Sequence, residues 1–517
     1  MAEDPRLTRG GFIKAGAAGA AGLSLLGRAA AFPADALAKN PPPHSGGTLR
    51  LTVAGGHVTD GTDPQKAASG FEIPMTLMAY ETLVRADENF KLHPGLATAW
   101  DVSSDLKTWK FKLRNGVHFH NGKALTSGDV AYSFKRLLTP STASPAYASL
   151  SPYLSASGIS TPDPQTVVLA LSKGNAFLPV LLATRNFVVL PEGATSFLPS
   201  VGTGPFKLNA FQVLASATLS RNENYWQNGK PYLDGIQLTN LADDATRLQS
   251  LLSGSTDMVD NITGQSIPIL FGVGNAKPLY IKAGGWVAVA PQGQVKPFTD
   301  IRIRQAMKYA QNREQILQVV APKSGLVNAD IPVPTSDPYY PEGLKPWPYD
   351  PEKSKFLLKK AGYHRLRLAV NAYQGDKLEV ALGYKSTAKA AGIDVDVVVW
   401  PHDIFFSQVW QKKPVSAISF GRVHVSQFLP AAFIKGGPYD ESQWNNAKFT
   451  RLVYAAGGTK NIAKQKEYYG EALRMLQNSD TTCAPGFEPQ MYGTAKRVYG
   501  VSLANGAQYY FDSAYLA

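Results

Sequence analysis

The sequence is poor in cysteine, in clustered charge and in long apolar runs. Its one cysteine among 517 residues is Cys483, which excludes an internal disulfide framework and every multi-cysteine metal motif. The formal net charge is +13, yet after the first forty residues no Lys/Arg run is longer than pairs such as Lys359-Lys360. Such a scattered excess favours a generally cationic surface and no arm or stripe that binds nucleic acid.

The first forty residues have the pattern of an export signal. Arg6 and Arg9 precede an uncharged, largely apolar stretch at 16–26, which is too short for a membrane helix of about 20 apolar residues. Ala36-Leu37-Ala38 fits the A-x-A cleavage site of such signals, and Ala29-Ala30-Ala31 is a second candidate. We therefore predict an export signal over residues 1–38 that is cleaved, with no cysteine nearby to carry a lipid anchor.

The run from Thr8 to Lys14 resembles the twin-arginine export signal, but Gly10 stands where that signal has its second arginine. The general secretory route could use the same segment, so both routes stay open. By either route the folded protein leaves the cytoplasm, and we expect a periplasmic protein.

Hydrophobic periodicity predicts alternating helices and strands in the rest of the chain. Thr126 and Asp129 form the pattern of a capping box at a helix start. Strands are predicted at 48–54, 109–114, 366–370 and 393–400, with a further short strand after the turn at 115–116, and helices from 126 and at 243–253, 300–320, 351–361, 376–390 and 461–478. Because strand and helix alternate between residues 366 and 400, we expect parallel strands joined by crossover helices, and an α/β fold class.

A series of short motifs follows in a fixed order between about residues 46 and 480. The most specific is Trp109-x-Phe-x-Leu-Arg-x-Gly-Val-x-Phe-His-Asn-Gly122, continued by Leu125-Thr-x-x-Asp-Val-x-Tyr-Ser133. Further motifs lie at 202–206, 221–226, 297–306, 349–363 and 391–395. Together they resemble the extracytoplasmic solute-binding proteins of the peptide and nickel ABC importer group, the oligopeptide- and dipeptide-binding family 5.

This resemblance implies a two-lobed periplasmic-binding-protein fold, a clamp of mixed sheets flanked by helices with an additional subdomain. Two crossing strands would join the lobes, and a ligand that contacts both lobes would favour the closed state. The implied organisation is an export signal at 1–38, a flexible leader at 39–47, a first-lobe core at 48–75, 190–285 and 485–517, an extra subdomain at 76–189 and a second lobe at 286–484. We expect a monomer without cofactor, whose partners are a small-molecule or peptide ligand and the permease subunits of an ABC transporter.

In peptide-binding members of that family, a loop resembling Trp-x-Gly-Asp-x-x-Asp-Pro supplies a carboxylate that holds the peptide's amino group. The corresponding residues here, 419–429, contain no carboxylate but contain Arg422 and His424. Since a guanidinium binds carboxylate or phosphate through two parallel hydrogen bonds, our hypothesis is a ligand that presents an acidic group to Arg422. The alternative is an Arg422 that is solvated or paired within the protein.

Further candidates follow the presumed parallel strands, at the sheet edge where open α/β sheets bind ligands. Aromatic residues there could form walls of a pocket, although core packing is an equal alternative for Trp400. The predicted ligand-binding residues are Arg422, His424, Phe420, Tyr373, Gln374, Trp400 and His57.

Other classes of function have weaker support in the sequence. His118 and His120 could indicate the nickel-binding branch of the family, but two histidines are too few ligands for a metal site. No motif of a serine hydrolase, zinc protease or P-loop enzyme is present, and Asp243-Asp244 fit helix capping better than catalysis. We predict no catalytic and no metal residues; a secreted hydrolase, a metal-chelate binding protein of the same fold, and a chaperone or adhesin stay as alternatives.

Overall fold

The structure, a computed structural model, describes residues 40–263, 266–272, 274–401, 404–479, 482–504 and 508–517. The predicted export signal lies outside these residues. Residues 43–517 form one compact unit. Every helix within the described residues is too short or too polar to cross a lipid bilayer.

Helices and strands alternate irregularly along the chain. The strands are β1 (Thr48–Val53), β2 (Val84–Ala86), β3 (Leu92–Pro94), β4 (Ala97–Val102), β5 (Thr108–Leu113), β6 (Leu154–Asp163), β7 (Thr166–Leu171), β8 (Phe206–Gln212), β9 (Ser216–Arg221), β10 (Gly235–Asn240), β11 (Met258–Val259), β12 (Ala276–Pro291), β13 (Leu326–Val327), β14 (Leu366–Ala372), β15 (Ile393–Val399), β16 (Val415–Gly421), β17 (Cys483–Ala495), β18 (Val498–Tyr499), β19 (Ser502–Ala504), β20 (Gln508–Tyr510) and β21 (Tyr515–Leu516). The α-helices are α1 (Glu72–Ala79), α2 (Ser127–Leu137), α3 (Tyr147–Leu150), α4 (Leu178–Leu182), α5 (Asp244–Leu252), α6 (Ile267–Gly272), α7 (Ile301–Tyr309), α8 (Arg313–Val320), α9 (Pro351–Lys360), α10 (Asp376–Ala388), α11 (Val425–Phe433), α12 (Ala447–Gly457) and α13 (Ile462–Ser479).

One mixed sheet runs through the molecule, in the strand order β15-β14-β16-β12-β17-β11-β1-β10-β9-β8, with β13 paired to β17. Its two long strands, β12 and β17, pair antiparallel over most of their length. At one end β17 pairs with β11, which pairs with β1; at the other end β12 pairs with β16. We call the half around β1 and β8–β11 the first lobe and the half around β14–β16 the second lobe, so β12 and β17 connect the two.

Each lobe has its own apolar core. In the first lobe, β1 and β10 pack with helix α1 into one cluster. In the second lobe, alternate residues of β12 point to opposite faces of the sheet: Val287 and Val289 belong to one core cluster, and Trp286 and Ala288 belong to another. The second lobe is therefore a sheet with a packed core on both faces.

A smaller antiparallel sheet, in the order β4-β5-β7-β6, forms a separate apolar cluster with helix α2. This helix begins where the capping pattern predicts, because the Asp129 carboxylate accepts hydrogen bonds from Thr126 N at 2.8 Å and Oγ1 at 2.9 Å. This sheet lies within the segment that the family resemblance assigns to an additional subdomain. The boundaries 76–189 stay a prediction.

The expected parallel pairing is confirmed, since β14 and β15 pair in parallel register from Leu366 with Ile393 to Ala372 with Val399. Two predictions were wrong in detail. The helix predicted at 300–320 is two helices, because the Asn312 side chain accepts a hydrogen bond from Gln315 N at 3.1 Å and caps a new helix. The strand predicted after the turn at Gly116 is a single bridge between His118 and Ala124.

Candidate functional site

The connection between the lobes contains a β-bulge. The register of β12 against β17 shifts between Ile281 and Gly285. At Gly284 and Gly285 the two strands lie so close together that a side chain has no room. A methyl group on Gly284 would lie 2.2 Å from Cβ of Gln490, and one on Gly285 would lie 2.9 Å from Cγ of Glu488. Glycine at both positions lets the chain bend while the strands stay paired.

A group of charged side chains surrounds this bulge. Helix α10 begins at Asp376, just after parallel strand β14 ends, and the Asp376 carboxylate accepts hydrogen bonds from Ser419 Oγ and, at 3.1 Å, from Lys377 Nζ. Lys377 Nζ also lies 3.0 Å from Ser419 Oγ and 4.6 Å from the centre of the Tyr373 ring. From β17, the Glu488 carboxyl group donates a further hydrogen bond to Asp376.

The two carboxyl groups have opposite pKa shifts. Burial, followed by the nearby charge of Asp376, raises the pKa of Glu488 well above its usual value and so favours its protonated form. Burial also opposes ionisation of Asp376, but the Lys377 ammonium and hydrogen bonds from Ser419, Lys377 and Glu488 outweigh it and lower the pKa. The two shifts favour a neutral Glu488 beside a charged Asp376, and the Lys377 ammonium lies next to that carboxylate.

Two further acids approach this group. Burial raises the pKa of Glu379 on α10 to about 7, and the charges of Asp376 and of Asp244 on α5 of the first lobe add to the shift. Glu441 is 5% exposed and accepts a hydrogen bond from Trp410 Nε1 at 2.5 Å, while burial raises its pKa to about 8. Asp244 of the first lobe thus acts electrostatically on Glu379 of the second lobe at the connection between the lobes.

Aromatic rings of the second lobe continue from this charged group. Their centres are 5.6 Å apart for Tyr373 and Phe406, 5.7 Å for Phe406 and Trp410, 6.2 Å for Trp410 and Tyr439, and 5.4 Å for Tyr439 and Phe420. Phe406 is 40% and Tyr439 38% exposed. We call these five residues the aromatic wall; it is accessible to a solute although each ring packs on its neighbour.

Arg422 has a carboxylate partner within the protein. Its Nη2 donates to Asp337 Oδ2 at 3.2 Å, its Nη1 donates to the carbonyl oxygen of Glu88 at 3.4 Å, and its guanidinium lies 5.2 Å from the centre of the Phe90 ring. The residue is 8% exposed. This is the internally paired alternative for Arg422, and the geometry argues against the anion-binding role that the sequence predicts for it.

His424 lies beside Arg422 and caps helix α11. Its Nδ1 accepts a hydrogen bond from Ser426 N at 3.2 Å, and its ring packs 5.2 Å from the ring of Phe90 and 5.1 Å from that of Phe177. Burial lowers the pKa of His424 to about 4, so the imidazole is neutral at pH 7. These contacts give His424 a structural role.

The other predicted ligand-binding residues are dispersed. Tyr373 and Phe420 belong to the aromatic wall, and Gln374 is exposed next to Tyr373. Trp400 donates from Nε1 to Asn371 Oδ1 at 2.8 Å and lines a different groove of the second lobe. His57 lies in a first-lobe loop, where its backbone N donates to Asp60 Oδ2 at 3.0 Å.

The two histidines after β5 have different surroundings. The ring nitrogens of His120 lie 3.1 Å from the carbonyl oxygen of Ser200 and 3.0 Å from that of Gly204, while His118 is exposed. Among the residues that the structure describes, no group of three His, Cys, Asp or Glu side chains could hold a metal ion.

Sequence patterns did not predict the charged residues at the connection between the lobes, namely Asp376, Lys377, Glu379, Glu441 and Glu488. A signal for the first two was available, because they follow β14 at the same sheet edge that predicted Tyr373 and Gln374. Glu441 and Glu488 carry no such signal, since only the folded chain brings them to this edge.

Two lobes connected by a pair of long strands, with polar and aromatic side chains meeting at the connection, define a clamp-type binding protein. The family model of bacterial extracellular solute-binding proteins, family 5, matches residues 91–434. The chain belongs to this family and has its two-lobed fold. The expected family and fold class are thereby confirmed.

Relatives and solved structures agree with this assignment. The glutathione-binding protein GsiB of Escherichia coli (strain K12) is 28% identical over 325 residues, which cover 60% of this chain and 61% of that protein. The periplasmic binding protein DppA from Helicobacter pylori, in complex with the peptide STSA, has a TM-score of 0.81 at 21% identity and covers 92% of this chain and 98% of its own. The dipeptide-binding protein from Pseudoalteromonas sp. SM9913, in complex with Met-Leu, has a TM-score of 0.80 at 19% identity, covering 91% and 100%.

Proposed function

We propose that this protein is the periplasmic substrate-binding component of an ABC importer. It captures a peptide-like or other small solute between its lobes and delivers it to permease subunits in the inner membrane. It acts as a monomer and performs no chemistry on the solute. In this proposal the export signal predicted at residues 1–38 is present only on the precursor and is removed on export.

The observation that carries this proposal is the meeting of side chains from both lobes at the bulged connection. Glu379 of the second lobe and Asp244 of the first lie close enough to act on each other electrostatically. Tyr373 of the aromatic wall lies 4.6 Å from Lys377 Nζ, on the same helix as Glu379. A solute that contacts both lobes binds the closed form more strongly than the open form, and this difference in affinity drives closure. We propose that the solute contacts Tyr373, Phe420 and Gln374. The other predicted ligand-binding residues lie away from this site or are held by contacts within the protein; they are Trp400, His57, Arg422 and His424.

The relatives guide the choice of solutes to test. One relative is a glutathione-binding protein, and the two solved structures contain the peptides STSA and Met-Leu. All three ligands are small and carry both amino and carboxyl groups. We therefore place small peptides and their derivatives first among the candidate solutes.

The test is thermal unfolding of the purified protein with glutathione, Met-Leu, STSA and a nickel–histidine complex, each over a concentration series. We expect at least one compound to raise the midpoint with the concentration dependence of mass action, and X-ray scattering with that compound to show a smaller radius of gyration. Mass spectrometry should recover the compound unchanged. A hydrolysed product would instead favour the secreted hydrolase. Stabilisation by the nickel complex alone would favour the metal-chelate binding protein. If no solute stabilises or closes the protein, the proposal is contradicted.

A further inference from the structure

The sheet of the second lobe is interrupted on one side of strand β14. This strand pairs with β15 along its whole length, from Leu366 to Ala372. With β16 it forms a single pair, between Asn371 and Ser416. Within the described residues, the first half of β14 therefore has a strand neighbour on one side only. Such an edge presents backbone groups to any extended chain that can reach it.

The unpaired backbone groups of this edge belong to Arg367 and Ala369. In a strand, the N–H and C=O groups of successive residues point to opposite sides. Leu366 N donates to the carbonyl oxygen of Gly392, just before β15, so the groups of Arg367 and Ala369 point away from β15. They form no hydrogen bond with the part of the chain that the structure describes, and both residues are exposed. A further strand could bind both residues without displacing a bond within the protein.

A cationic groove lies along this open edge. The described residues that line it include no Asp or Glu but three cations, which are Lys296, Arg367 and Lys413. None of the three forms an ion pair with another described residue. Asp394 and Asp396 of β15 lie in register with Arg367 and Ala369, but they do not line the groove, and Asp394 is bound to Arg365 at 3.1 Å. The charge of the groove therefore favours an anionic occupant.

The groove also has apolar surface on both sides of the sheet plane. Leu368 and Phe298 belong to the core cluster on the helix-covered face and line the groove from there. Trp400 lines it as well, with its ring held by a hydrogen bond from Nε1 to Asn371 Oδ1 at 2.8 Å. Successive residues of a strand point to opposite faces. A strand in which acidic and apolar residues alternate would thus place acids beside Arg367 and apolar side chains beside Leu368.

We propose that the open edge of β14 binds an extended acidic segment of a partner protein, which adds to the sheet as a further strand. Hydrogen bonds with the backbone of Arg367 and Ala369 supply the affinity, and the three cations of the groove select acidic side chains. The described residues that line the groove include none of the aromatic wall. The inference therefore goes beyond the proposed function and does not depend on solute capture.

The experiment measures binding of the purified protein to short peptides that are acetylated at the N-terminus and attached to a biosensor surface by the C-terminus. Glu and Val alternate in the acidic peptide. In one control peptide Lys replaces Glu, and in another every peptide nitrogen carries a methyl group, which keeps the charge but prevents strand pairing.

The protein variants are Arg367→Glu, Ala369→Pro and Lys385→Glu. Ala369→Pro removes a backbone N–H that forms no hydrogen bond with the described part of the protein. Lys385→Glu is the matched control, because it changes the net charge as much as Arg367→Glu does. Lys385 is exposed on α10, which packs with the core cluster on the opposite face of the sheet.

We expect the unaltered protein to bind the acidic peptide, and each control peptide at least tenfold more weakly. Binding of the acidic peptide should fall at least tenfold in Arg367→Glu and in Ala369→Pro, and not in Lys385→Glu. Equal binding of the methylated peptide, which needs no protein variant, overturns the addition of a strand. Undiminished binding by Arg367→Glu overturns the assignment to this groove. If the unaltered, cooperatively folded protein binds no acidic peptide, the inference fails, whereas the proposed function has its own test in stabilisation by solutes.

Discussion

Arg422 and Asp337 form a buried ion pair at 3.2 Å between two segments that are 85 residues apart in the sequence. The same guanidinium reaches the carbonyl oxygen of Glu88 and the ring of Phe90, which belong to the hairpin of β2 and β3. The loop at 419–429 is thus tied to two other segments of this protein. We expect this loop to hold those segments together.

Removing one partner of this pair should destabilise the protein. Arg422→Met leaves the Asp337 carboxylate buried without a counter-charge, and we expect a loss of about 3–5 kcal/mol in the free energy of unfolding. The double variant with Asp337→Asn should recover part of that loss. Urea unfolding of the two single variants and the double variant measures both effects. Unchanged stability together with lost solute binding would instead show that Arg422 binds the ligand.

Acid should destabilise the protein through His424. Burial lowers the pKa of this imidazole to about 4, below its value of about 6.5 in an unfolded chain. The unfolded state therefore binds the proton first, and stability falls as the pH drops from about 6.5 to 4, by a few kcal/mol at most. His424→Asn keeps an oxygen that can cap α11 and should show a smaller loss, measured as urea midpoints. Replacing the exposed His118 by Asn should leave the acid dependence as it is.

Because of Glu441, we expect a part of the protein's stability to depend on pH in the opposite direction. Burial raises the pKa of its carboxyl group to about 8, above the value of about 4.3 for an unfolded chain. The folded state binds the proton more strongly, so stability should decrease as the pH rises from about 4.3 to 8. In Glu441→Gln we expect this decrease to be smaller by at least about 1 kcal/mol. The control is Glu352→Gln, whose side chain is 81% exposed; an equal change in both variants would contradict the assignment.

The bulge between the lobes should not tolerate a side chain. In Gly284→Ala the new methyl group would lie 2.2 Å from Cβ and 2.5 Å from the backbone N of Gln490, and we expect a loss of about 1–3 kcal/mol. Gly457→Ala in helix α12 meets nothing within 4 Å and should be neutral or stabilising by up to about 1 kcal/mol. Thermal or urea unfolding compares the two. A Gly284→Ala protein as stable as the Gly457→Ala protein would show that the strands separate easily at this point.

Much of the fold follows from local patterns. The capping box at Thr126 and Asp129 and the parallel strands at 366–372 and 393–399 lie where the sequence predicts them. The prediction of a single helix at 300–320 was wrong, because a capping asparagine inside an otherwise periodic segment starts a second helix there. Of the predicted ligand-binding residues, those beside the end of β14 reach the proposed site, while Arg422 and His424 are held by contacts that no local pattern reveals.

The sequence by itself determined the family, the capped start of helix α2 and the sheet edge at which β14 ends, because these depend on residues close together in the chain. Only the tertiary structure decided which charges lose their water and which of them find a partner. Arg422 pairs with Asp337, whereas the buried Nε of Arg185 has no hydrogen-bond partner among the described residues, although both are single arginines outside the long helices and strands. The cost of burying a charge depends on every surface packed around it, and those surfaces come from distant segments that only folding brings together.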